Sequence, residues 1–178
     1  MNITVISYSF TGNNEALASS IAKELSAKHI KISELKTRTM GTIILDMIFN
    51  RIPQVQPSPG ELGGYDLILF LGPVWMGHVA APLRPYLRHL KKNPASYAFI
   101  SISGGADAGN LKLADDLEKR AGTKPAALID LHIADLLPAS RKPDRKDTSS
   151  YHINNEDIKK LTDLTMTQLK PAIPDLTC

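Results

Sequence analysis

Six consecutive residues, Ser9-Phe10-Thr11-Gly12-Asn13-Asn14, bring hydroxyls, amides and a glycine together in one short run. Such a run can hold an anion by neutral donation. Its backbone N–H groups converge on one point, and Ser9, Thr11, Asn13 and Asn14 add side-chain donors. Gly12 lets the backbone turn in closely because it has no Cβ. No Lys or Arg lies within the run, so it is not the lysine-bearing loop that handles nucleoside triphosphates with Mg²⁺. The G-x-G-x-x-G dinucleotide fingerprint is absent as well. One terminal phosphate monoester is the anion that fits. The plainer alternative is that these residues only cap a helix and form a turn.

A second run, Gly72-Pro73-Val74-Trp75-Met76-Gly77-His78, follows the apolar stretch Leu67-Ile68-Leu69-Phe70-Leu71. Trp75 is the only tryptophan in the chain, and a large aromatic beyond a strand end offers a flat surface for another ring. Simple core packing is the alternative for a lone tryptophan. His78 could assist proton movement near neutral pH. The sequence fixes no partner for it, so a solvated loop histidine is the expectation.

The elements around these runs decide between the readings. Residues 3–7 are β-branched and apolar and predict a buried strand, and Ala18, Ile21, Ala22 and Leu25 recur at helical spacing beyond the first run. Strand, hydroxyl-rich loop and helix start is the arrangement that aims unpaired amides and a helix dipole at a phosphate. Residues 66–71 predict a strand buried on both faces, ended by Gly72-Pro73 because proline cannot donate to a ladder. Further strands are expected near 30–33, 97–102 and 126–134, and helices near 81–91, 110–121 and 154–169. Residues 40–52 carry Ile43, Ile44, Met47, Ile48 and Phe49, read as a helix whose stripe is core rather than a membrane-binding face. Residues 53–64, rich in Pro and Gly, are expected as a loop, and so is 138–150 with Arg141, Lys142, Arg145 and Lys146. That basic stretch could instead be a lid or a docking site for an anionic partner or a nicotinamide phosphate. One of Asp107 and Asn110 is expected to cap the helix that follows. Tyr8 could be core or pocket rim and receives no assignment. Strands alternating with helices imply an α/β protein with a mostly parallel sheet covered on both faces.

Both runs resemble the FMN loops of the flavodoxin superfamily. Residues 9–14 are similar to its phosphate loop, commonly Ser/Thr-x-Thr-Gly-Asn-Thr, with Asn14 standing where threonine is commoner. Pro73, Val74, Trp75, Met76 and Gly77 resemble the loop that runs along the isoalloxazine ring, and Ser103-Gly104-Gly105 would be the third loop. The resemblance spans nearly the whole chain. It implies a three-layer doubly wound sandwich, residues 1–178 as one domain, and a five-stranded parallel sheet in the order 2-1-3-4-5. The ligand crevice then lies where the strand order reverses, between the first and third strands. It implies FMN as cofactor, with the ribityl phosphate on Ser9, Phe10, Thr11, Gly12, Asn13 and Asn14. Trp75 and its neighbours would border the ring. Backbone groups at Met76-Gly77 would meet N5, where glycine lets the peptide reorient, and amides of Ser103, Gly104 and Gly105 would face the pyrimidine edge.

Composition separates the chain from the family's acidic electron shuttles. Its net charge is +3, with a pI near 8.9. The third loop, which often carries a covering aromatic in those shuttles, has none between Ser103 and Asn110. Both departures point to an oxidoreductase that passes electrons from a nicotinamide nucleotide or reductase to a quinone-like or protein acceptor. A non-redox α/β module binding another phosphorylated small molecule is the alternative. The 178 residues and 43% hydrophobic content suit one soluble core. No apolar run is as long as a membrane span, and the first residues enter a strand without a charged leader, so a cytoplasmic protein is expected. Cys178 is the single cysteine, which leaves no disulfide framework or cysteine-based metal site, and no metal is expected. No nucleic-acid motif is present. Oligomeric state and any catalytic side chain are not legible.

Overall fold

The computed structural model describes residues 1–35, 39–61, 63–105, 110–138, 143–174 and 176. The chain runs β1 (Ile3–Ser7), α1 (Asn13–Glu24), β2 (Lys28–Lys31), β3 (Ser33–Glu34), α2 (Met40–Ile48), β4 (Val55–Gln56), β5 (Leu67–Leu71), β6 (Val74–Trp75) and β7 (His78–Val79). It continues through α3 (Arg84–Lys92), β8 (Ser96–Ser103), α4 (Leu113–Ala121), β9 (Ala127–His132), α5 (Arg145–Ser150) and α6 (Asn155–Ala172).

The uninterrupted apolar run of β5 is buried at every position and takes the centre of a five-stranded parallel sheet ordered β2-β1-β5-β8-β9. Counting only the sheet's own strands, that is the order 2-1-3-4-5. Ile3 pairs with Leu67 and Leu67 with Ser96, so the strand ends stay aligned across the centre. Alternate residues feed two cores. Val5, Leu69 and Ile100 pack with Leu17 and Ile21 of α1 and Leu169 of α6. Ile6, Phe70 and Phe99 face the other way, against Tyr86 and Leu87 of α3 and Leu117 of α4. Helices on both faces of one sheet make the three-layer α/β sandwich.

Besides a hairpin at residues 74–79 and a second strand found at Lys28–Lys31 instead of 30–33, three segments depart from the sequence reading. Residues 53–64 contain β4, which pairs antiparallel with β3, and a short helical turn at Pro59–Glu61. The basic stretch contains α5, started by a reciprocal capping box between Asp144 and Asp147; Arg141 and Lys142 lie outside the described residues, as do Asp107 and Cys178. The helix α2 ends at Ile48, and only part of its stripe is core: Ile43 is buried, while Ile44 and Phe49 are 48% and 62% exposed.

Candidate functional site at the C-terminal ends of three adjacent strands

The candidate site is formed by the loops that leave β1, β5 and β8, which are neighbours in the sheet. The chain crosses from β1 to one side through β2 and returns on the other through β5, so the strand order reverses between β1 and β5.

The first loop ends at Gly12, whose φ of 93° places it in the left-handed region and which, having no side chain, leaves α1 without a side-chain cap. The first bond of the helix runs from the Ala16 amide to the Gly12 carbonyl at 2.9 Å. The amides of Asn13, Asn14 and Glu15 precede it and have no intrahelical acceptor. The Ser9 hydroxyl is buried and is the one buried side-chain polar atom among the described residues without a hydrogen-bond partner. Phe10, Thr11 and Gly12 are exposed.

Asn13 and Asn14 behave differently from the sequence expectation. Their side chains turn inward instead of serving the loop as donors. Asn13 donates to the Tyr151 carbonyl at 2.8 Å and accepts from the Ile153 amide at 3.2 Å. Asn14 donates to the Ile102 carbonyl at 3.1 Å and accepts from its amide at 2.9 Å. What these two residues offer at the loop is backbone N–H.

The second loop begins at Gly72, where a Cβ would come within 2.4 Å of Leu83 Cδ1 and 3.3 Å of the Tyr8 carbonyl. A side chain here would have to displace Leu83. The chain then folds into a two-residue hairpin in which Trp75 pairs with His78. Its tip residues Met76 and Gly77 both have positive φ, 51° and 79°, the signature of a primed turn. Met76 is 81% exposed at that tip. Trp75 is half-buried and meets Tyr8 edge to face, with ring centroids 6.3 Å apart at 88°. Tyr8, left open by the sequence, is thus core that supports the aromatic, and its hydroxyl donates to Glu34 at 3.0 Å.

His78 does have a partner, contrary to the expectation of a solvated loop residue. Its Nδ1 lies 3.0 Å from a carboxylate oxygen of Asp116, which is 7% exposed. Asp116 also accepts from the Val79 amide at 3.0 Å and from Arg120 Nε at 2.9 Å. Burial alone would push the Asp116 carboxyl up; the hydrogen bond and charge of Arg120, with Val79 and His78, outweigh it and hold the group below the usual carboxylate range. Sequence reasoning missed this cluster because Asp116 stands 38 residues away on another element.

The third loop leaves β8 at Ser103. Gly105 has φ of 73°, and a Cβ there would lie 2.4 Å from His132 Cβ. A Cβ at Gly104 would lie 3.0 Å from Thr148 Oγ1, which seats α5 against the loop. Asn110 does not cap α4 with its side chain. It donates to Asp130 at 2.8 Å and to Ser103 Oγ at 3.3 Å, and Asp130 also accepts from Ser101 at 2.6 Å and lies 3.2 Å from His132 Nε2. This part-buried polar cluster ties Ser103 to the end of β9. A separate open groove of about 750 Å³, lined by Lys31, Pro53, Val55, Pro57 and Pro85, touches none of the three loops.

The structure therefore brings Ser9–Gly12, Pro73–Gly77 and Ser103–Gly105 to adjacent strand ends, with Tyr8–Trp75 and Asn14–Ile102 as the links between loops. No protein-family model matches the chain, and neither does any curated protein. Solved structures do. A flavoprotein from Lactobacillus acidophilus NCFM, solved in complex with FMN, is 22% identical over 73% of this chain and 93% of its own, with a TM-score of 0.57. A candidate flavoprotein from Bacteroides eggerthii DSM 20697 is 13% identical over 92% and 96%, with a TM-score of 0.61. Oxidised flavodoxin 2 from Bacillus cereus is 14% identical over 96% and 99%, with a TM-score of 0.50. In sheet order, layer arrangement and structural neighbours, the chain has the flavodoxin-like fold.

Proposed function

We propose that the chain, as one domain over residues 1–178, is a cytoplasmic FMN-binding redox protein. The ribityl phosphate would sit at residues 9–14 and the isoalloxazine ring beside Trp75. The observation that carries this reading is the Ser9 hydroxyl, buried without a partner at a helix start that no side chain caps. A buried hydroxyl left unpaired costs about 1–3 kcal/mol. A phosphate would satisfy it together with the first amides of α1, where the helix dipole also favours negative charge. Thr11 adds an exposed hydroxyl, and the left-handed Gly12 brings the backbone close.

Trp75, braced by Tyr8, gives the ring a fixed aromatic neighbour. The Met76–Gly77 peptide at the hairpin tip is the group we place at the N5 edge, and Gly77 permits that peptide to turn over. Amides of Ser103, Gly104 and Gly105 would meet the pyrimidine edge. FMN, when bound, supplies the one- or two-electron chemistry. The protein's part is to hold, orient and shield it. The net charge of +3 and the absence of an aromatic between Ser103 and Asn110 support an oxidoreductase with an accessible ring face. Its donor would be a nicotinamide nucleotide or a reductase, and its acceptor a quinone-like molecule or a protein.

Trp75 is the sole tryptophan, so its fluorescence reports the site directly. Titration of purified protein with FMN is expected to quench that emission and to leave a yellow complex after gel filtration. Unchanged emission and a colourless protein would overturn the reading in favour of a module for another phosphorylated ligand.

A further inference from the structure

His78 and Trp75 are cross-strand partners on the hairpin, so their side chains leave one face with Cβ atoms about 4.5–5.5 Å apart. A ring placed against Trp75 thus has the imidazole at its margin. Through Nδ1 that imidazole is held by Asp116, whose carboxylate is itself fixed by the Val79 amide and Arg120. Arg120 is anchored in turn on Asn50 at 3.0 Å. A carboxylate accepts only, so the neutral imidazole must carry its proton on Nδ1 and leave a lone pair on Nε2. Nε2 has no hydrogen-bond partner among the described residues, and the side chain is 45% exposed.

We propose that His78 is the proton-exchanging group of the site and that Asp116 is its positioning residue. The inference rests on the FMN reading above. When bound FMN takes a hydride equivalent (two electrons and one proton) from an external reductant, Nε2 would take one further proton from solvent and His78 would become imidazolium. On reoxidation a quinone-like acceptor would take a hydride equivalent (two electrons and one proton) from the cofactor, and the Nε2 proton would go to the acceptor oxygen, which completes the two electrons and two protons of the hydroquinone. The charged groups around His78 suit that cycle. From α4 come Asp116, which stabilises the imidazolium, and Arg120, already neutralised by Asp116. Lys112, whose Cβ would lie 3.4 Å from a Cβ on Gly77, sits at the hairpin tip. On the Trp75 side are Tyr8 and Glu34, bonded to one another.

The test is the pH dependence of the reduction midpoint of the FMN-loaded protein, followed by its absorbance between pH 5 and 9, for wild type and for His78→Gln. Glutamine keeps a polar side chain of similar length but cannot titrate. One extra proton per two electrons makes the reduction equilibrium tenfold more sensitive per pH unit, about 30 mV for a two-electron couple. Wild type is expected to show this extra slope over part of the range. His78→Gln is expected to lose it. A slope that persists in His78→Gln overturns the inference while leaving FMN binding intact, and failure of wild type to bind FMN overturns both. Asp116→Asn gives a second reading should the glutamine variant not fold. Loss of the carboxylate should change the extra slope, and an unchanged slope would remove Asp116 from its positioning role.

Discussion

Asn14 pairs with Ile102 through both edges of its amide, 3.1 Å to the carbonyl and 2.9 Å from the N–H. This side chain continues a ladder that the backbone abandons. The register between β5 and β8 ends at Leu71 and Ile100, where the Gly72 amide makes the last bond before Pro73. Proline cannot donate further. The primary amide of Asn14, reaching over from α1, supplies the donor and acceptor that a continued β5 would have given. It thereby fixes the first loop against the start of the third.

Asn14→Leu would leave the Ile102 N–H and carbonyl buried and unpaired, at about 1–3 kcal/mol each. The urea midpoint is expected to fall with the m-value unchanged. A midpoint equal to that of wild type would mean that water or another group replaces the amide.

Gly12 and Gly105 share the left-handed conformation but differ in what surrounds them. A Cβ on Gly12 meets nothing within 4 Å, whereas one on Gly105 would overlap His132 at 2.4 Å. Gly12→Ala should therefore cost only the conformational penalty, about 1–2 kcal/mol. Gly105→Ala must add displacement of His132 from its contact with Asp130. Thermal unfolding of the two variants should separate them clearly, with Gly105→Ala the less stable; equal losses would contradict the packing described.

Tyr86 and Tyr97 set the alkaline limit. Burial, and secondarily Glu61 and Glu118, push both phenols well above their ordinary value, and their hydroxyls donate to the Pro57 and Thr123 carbonyls. A phenol with a raised folded pKa keeps its proton in the native state after the unfolded chain has lost it near pH 10. The contribution is whole below pH 10 and lost as pH rises beyond. Urea midpoints should fall steeply above pH 10 in wild type. They should fall less in the double variant Tyr86→Phe, Tyr97→Phe, which starts lower because each lost bond removes about 1 kcal/mol.

The sheet was legible in the sequence because its strands are short apolar runs broken by Gly, Pro and polar loops, and Leu67–Leu71 could only be central. The three loops followed from their place beyond those strands. Side-chain partners were not legible: local spacing says nothing about Asp116 meeting His78, or about Asn13 meeting Tyr151 across 138 residues. The hairpin at residues 74–79 escaped because two-residue strands carry no periodicity. The start of α5 did leave a signal, since Asp144 and Asp147 have capping-box spacing, but the charge around them favoured a loop. The stripe of α2 had the right period for core. A period cannot say whether anything covers the face, and Phe49 lies open.

The most direct test of the central claim compares FMN with riboflavin, which differ only in the phosphate, by fluorescence titration against wild type and Thr11→Val. The account predicts that FMN binds much more tightly than riboflavin, and that Thr11→Val weakens FMN several-fold while leaving riboflavin unchanged. Equal affinity for the two flavins, or a Thr11→Val protein that binds FMN as wild type does, would contradict a phosphate site at residues 9–14.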